Sequence, residues 1–95
     1  MVKAIFNGEV VAQSNNTEVV EGNHYFPPED INIFSFVKSD KTTTCAWKGT
    51  ANYYDLMAGG ETAKDAAWYY QQPKPEAKNI EGYVAFGPAV EVVED

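Results

Sequence analysis

The sequence predicts a mainly β fold: one small antiparallel domain over residues 1–95, a tent, sandwich or partly open barrel with one or two short helical turns. Two observations carry this. The apolar residues are lopsided, with one leucine (Leu56) against ten valines, five phenylalanines, six tyrosines and two tryptophans. Such β-branched and aromatic side chains suit a pleated, half-buried surface, whereas helical cores rely on leucine and alanine. The chain is also broken by turn residues into short apolar segments, at a spacing that suggests seven or eight strands.

Taken in order, Lys3–Phe6 and Glu9–Gln13 flank Asn7-Gly8, a strong hairpin signal because both residues tolerate positive φ. Ser14-Asn15-Asn16 turns the chain into a third strand, Thr17–Glu21, and Gly22-Asn23 breaks the meander. Pro27-Pro28 removes two backbone donors, so no central strand runs through it, and Pro28-Glu29-Asp30 can start a helical turn. Ile31–Val37 alternates as a strand, Ser39-Asp40-Lys41 reads as a turn, and Thr50–Met57 is a long strand closed by Gly59-Gly60. Ala66–Tyr70 follows as a strand, Glu76–Ile80 as a helical turn, and Tyr83–Phe86 and Val90–Val93 as closing strands.

Charge narrows the function. The formal charge is −7, and all seven basic residues are lysines. Nucleic acid and anionic membrane surfaces would meet net repulsion, so neither is an expected partner. Polyphosphate recognition is disfavoured because no arginine supplies a planar bidentate fork. One cysteine makes no internal disulfide, no apolar run approaches the roughly 20 residues that span a bilayer, and no signal-like segment opens the chain. A cytoplasmic protein is expected. One Cys and one His are a poor start for a zinc site, so no metal is expected, and no cofactor follows from the residues.

Two stretches hold the reactive side chains, Glu21–Asp30 and Thr42–Gly49. Cys45 is a candidate nucleophile or redox thiol with Lys48 nearby and His24 as base; the plainer alternative is a small buried hydrophobe. His24 is a candidate base, ligand or hydrogen-bond donor to a bound anion, or simply support for the bend at Gly22-Asn23. Trp47-Lys48-Gly49 joins a flat apolar wall, a point cation and a residue that lets the backbone approach a ligand. Tyr25, Phe26, Trp68 and Tyr70 add aromatic surface, and period two sends Trp68 and Tyr70 to one face. Asp30, with Glu29 beside it, is a candidate acid or base, or a holder of Mg²⁺ through water, or part of a solvated turn favoured at a helix start.

From Lys3 to Val93 the chain resembles the domain of unknown function 427 family, small bacterial and fungal proteins sometimes labelled nucleotidyltransferase-like. The residues that carry the likeness are Glu21-Gly22-Asn23-His24-Tyr25-Phe26-Pro27 with Asp30, Thr44-Cys45, Trp47-Lys48-Gly49 with Tyr53, Ala67-Trp68-Tyr69-Tyr70 before Pro73, and Ile80–Phe86. Ala46 stands where the family usually has proline. The resemblance implies an antiparallel β fold of the tent type, without the paired cysteines that bind zinc in other domains of that shape.

The favoured reading is a small-molecule binding domain, with Tyr25, Trp47, Trp68 and Tyr70 walling a cleft in which Lys48 and His24 orient a planar or carboxylate-bearing ligand. One alternative is a nucleotidyltransferase-like or thiol-dependent enzyme using Cys45 or Asp30. Another is an interaction module whose exposed aromatics bind a protein, a second copy of the chain included.

Overall fold

The computed structural model describes residues 1–95. Nine strands run in chain order: β1 (Val2–Phe6), β2 (Glu9–Ser14), β3 (Glu18–Val20), β4 (Asn23–Tyr25), β5 (Phe36–Cys45), β6 (Gly49–Ala58), β7 (Glu61–Tyr69), β8 (Val84–Phe86) and β9 (Glu91–Glu94). All strand pairing is antiparallel, so the expected mainly β antiparallel fold holds. No helix is long and apolar enough to cross a membrane.

Asn7 and Gly8 lie at φ 51° and 77°, the pair of positive angles that a two-residue hairpin needs, and they fold β1 onto β2. The last strand takes the other edge of β1, giving a three-stranded sheet in the order β2-β1-β9. A second sheet runs β5-β6-β7-β8, and β3 and β4 form a separate hairpin. Phe26, just after β4, exchanges backbone hydrogen bonds of 2.7 and 2.8 Å with Val84, so the hairpin continues the four-stranded sheet beyond β8.

Strand pleating divides the buried residues between the two faces of this larger sheet. On one face Phe26, Phe36, Leu56, Val84 and Phe86 pack against Val2, Ala4, Phe6 and Val11 of the three-stranded sheet. On the other, Tyr25, Ala51, Tyr70 and Ala85 are covered by Ala77 and Ile80 from the 3₁₀ segment Pro75–Ile80. Each consecutive pair (Tyr25 and Phe26, Tyr69 and Tyr70, Val84 and Ala85) sends one member to each side.

Three local expectations change. Ile31–Val37 is not a strand: the Asn32 side chain accepts from the Phe34 N–H at 3.3 Å and caps a 3₁₀ turn, Ile33–Ser35, which delays β5 to Phe36. Ser39-Asp40-Lys41 is no turn, because β5 passes through it with a register shift between Lys38 and Thr42 that absorbs the polar residues. The third change concerns β7, which begins at Glu61 rather than Ala66, since Gly59 and Gly60 at φ 60° and 81° reverse the chain at once. Asp65, at φ 53° within β7, donates its N–H to Asp55 Oδ1 at 2.8 Å.

Candidate functional site

Lys48 closes the short turn Ala46–Lys48 between β5 and β6, and its side chain is pressed inward until the residue is only 6% exposed. Its ammonium is ion-paired with Glu21 Oε1 and lies 5.4 Å from the ring centre of Trp47 and 5.5 Å from that of Tyr70. Both rings present their negative faces to the cation, which offsets part of the hydration it loses. Burial pulls Lys48 toward its neutral form, but the hydrogen bond to Glu21 and the Tyr25 and Tyr70 phenols outweigh it, and the net shift is upward. The side chain is therefore charged at neutral pH.

The counter-charge comes from the tip of the β3–β4 hairpin, where Glu21 and Gly22 lie at φ 55° and 80°. The same carboxylate accepts the Trp47 indole N–H on Oε2 at 3.3 Å. Each oxygen thus has its own donor. Glu21's carboxyl is held below the ordinary carboxylate range, first by the Lys48 hydrogen bond and then by Trp47. A lowered folded value means this support for the fold is in place above the ordinary carboxylate range and fades as pH falls through the lowered one.

Beneath the ion pair the aromatic residues are tied together. Trp68 donates its indole N–H to the Tyr25 hydroxyl at 3.1 Å, and its ring centre lies 6.3 Å from that of Tyr53. Tyr25 is fully buried and Tyr70 nearly so. Burial raises Tyr70's phenol above its ordinary value, and Lys48 beside it pulls the other way without cancelling this. Cys45, opposite Gly49 at the end of β5, is half-buried and packs against the same group.

Six of the sequence-predicted residues therefore converge: Tyr25, Cys45, Trp47, Lys48, Trp68 and Tyr70. His24 does not join them. It precedes Tyr25 in β4, so the pleat turns it to the opposite face. There its Nδ1 shares a hydrogen bond of 2.8 Å with Thr17 Oγ1, and its Nε2 lies 3.3 Å from Glu94 Oε2 on β9. The proposed pairing of His24 with Cys45 across a common hollow is not assembled. Asp30 is also elsewhere, ending the 3₁₀ turn Pro28–Asp30 and lining a hollow of about 460 Å³ with Val11, Gln13 and Asn32.

The aromatics are packed together rather than splayed around an open cleft. A depression of about 480 Å³ that begins at the neighbouring Gly49 is instead polar, lined also by Thr50, Asn52, Gln71, Gln72 and Lys74. No three His, Cys, Asp or Glu side chains come together as a metal site would require. Sequence reasoning missed the role of Glu21. The available signal was its place before Gly22 in a tight turn, where asparagine or aspartate is the usual choice.

The full chain, residues 1–95, matches the family model described as Domain of unknown function (DUF427). The chain belongs to that family. No curated protein matches it. Within this DUF427 chain, the segments quoted above for the likeness supply Lys48 and its neighbours Glu21, Tyr25, Cys45, Trp47, Tyr53, Trp68 and Tyr70.

Proposed function

We propose that the protein binds a small planar molecule at the corner formed by Trp47 and Lys48. The observation that carries this reading is a charged lysine held 6% exposed between two aromatic rings, with one surface carboxylate as its counter-ion. Burying an ammonium costs several kcal/mol, roughly, before its partners offset the loss, and an apolar side chain of the same length fills the space more cheaply. A cation kept there needs a reason beyond packing. Trp47 supplies the other half of the argument: a large indole left 39% exposed directly beside the buried charge. A ring packed against the exposed edge of this indole can bring an acceptor group to the ammonium, which fixes its orientation.

The thiol-enzyme reading takes Lys48 and His24 as aids to Cys45, and of these the imidazole is turned to the other face with Thr17 and Glu94 as its partners. The binding reading loses His24 as an orienting residue for the same reason, keeps Lys48, and does not involve Cys45.

Tryptophan fluorescence tests the proposal. Benzoate and nicotinate are expected to quench the wild-type signal in a saturable way, with quenching lost in Trp47→Ala and retained in Cys45→Ser. Quenching that survives Trp47→Ala, or no saturable response to either compound, would defeat it.

A further inference from the structure

We infer that Glu21 occupies the anion position of this binding corner, and that the ligand is a carboxylate-bearing ring compound whose carboxylate replaces it. The inference rests on the binding reading above and adds the class of the ligand and the event that admits it.

Backbone conformation is the first argument. Glu21 sits at φ 55°, in the left-handed region, as the first residue of a two-residue turn with Gly22 at φ 80°. Asparagine or glycine meets that requirement with less strain, and glutamate brings no local hydrogen bond that eases it. What glutamate does bring is reach. Its carboxylate extends to Lys48 and Trp47, residues 27 and 26 positions further along the chain.

The second argument is geometric. Oε1 takes the ammonium of Lys48 while Oε2 takes the indole N–H of Trp47. Two convergent donors, one for each oxygen, suit a planar carboxylate. A phosphate group asks for more donors, and the chain has no arginine to add any. Glu21 thus displays the chemistry that the corner recognises.

Exposure identifies the partner free to leave. The Glu21 side chain is 50% exposed and that of Lys48 only 8%. The carboxylate can rotate into water and be hydrated there, but the ammonium cannot follow. An incoming carboxylate makes the step an exchange of one anion for another, so Lys48 is never left without a counter-charge. While it remains in place, the tethered group competes at an effective concentration of order millimolar, which weakens binding of any free carboxylate.

Glu21→Asn separates the possibilities. It creates an Asn-Gly turn, which suits the backbone, and removes the carboxylate. The chain has two tryptophans and hence two indole N–H signals in a proton–nitrogen correlation spectrum, with that of Trp47 identified by its loss in Trp47→Phe. Benzoate, acetate and inorganic phosphate serve as probes. Benzoate is expected to bind Glu21→Asn about tenfold tighter than wild type or better, moving the Trp47 signal toward its ligand-free wild-type position. Acetate should act likewise at higher concentration, phosphate should have no such effect, and Lys48→Met should abolish the response. Equal benzoate affinity in wild type and Glu21→Asn would overturn the inference while leaving the binding reading intact. Phosphate acting as well as benzoate would overturn the carboxylate class, and no response from either protein would overturn both readings.

Discussion

Replacing Phe26 by alanine is expected to cost about 3–5 kcal/mol of folding stability. The residue is fully buried and meets Phe86 edge-on, with ring centres 5.5 Å apart. It also stands where the β3–β4 hairpin is joined to β8 by the paired backbone hydrogen bonds with Val84. Those bonds involve main-chain atoms and survive the change, so the loss is one of apolar burial and of packing around the cavity left behind. Domains of this size are stable by about 5–15 kcal/mol, so one substitution removes a large share of the total. Each kcal/mol corresponds to roughly 4–8 °C in Tm for a domain of 60–100 residues. Thermal and urea unfolding check the size of the effect. Phe34→Ala is the matched control: Phe34 is 93% exposed, and its truncation should change stability by no more than about 0.5 kcal/mol.

Lys48→Met separates the proposed binding role of the ammonium from the packing role of its stem. Methionine fills nearly the same length with a flexible apolar chain, and Glu21, half-exposed, takes its hydration from water once its partner is gone. Stability is therefore expected to stay within about 1 kcal/mol of wild type, since replacing a buried charge by a hydrophobe is often neutral. Benzoate binding should fall by at least about tenfold, because the anion then has only the Trp47 indole N–H as donor. Calorimetric titration and thermal denaturation of the same preparation measure both quantities. A variant that loses most of its stability would instead show that the Lys48–Glu21 pair works as a structural fastener between the β3–β4 hairpin and the turn before β6.

Much of this architecture is legible in the residue order. Asn7-Gly8 and Gly59-Gly60 mark their hairpins because few other residue pairs accept positive φ, and the structure uses them for that purpose. Trp68 and Tyr70 share a face, as period two requires, and Tyr25, Cys45, Trp47 and Lys48 meet them there. What the residue order hides is which side of β4 turns toward which sheet. His24 and Tyr25 are neighbours, yet a single step along the pleat puts the imidazole beside Glu94 and the phenol beside Trp68. The strand expected over Ile31–Val37 failed because a local side-chain cap at Asn32 competes with extended backbone, and alternation alone does not register that competition. A similar blindness lengthened β5, where a bulge accommodates Ser39, Asp40 and Lys41, residues that elsewhere mark a turn. Glu21 was hidden for a different reason: a carboxylate in a tight turn reads as solvated until the residues it reaches are known.

The most direct measurement is a crystal structure of the wild-type chain soaked in benzoate well above its dissociation constant. The expected result places the ring against the Trp47 indole, with one carboxylate oxygen on Lys48 Nζ and the other on Trp47 Nε1, and the Glu21 side chain swung out into solvent. A structure in which Glu21 keeps both donors, with benzoate bound elsewhere or absent, would contradict it.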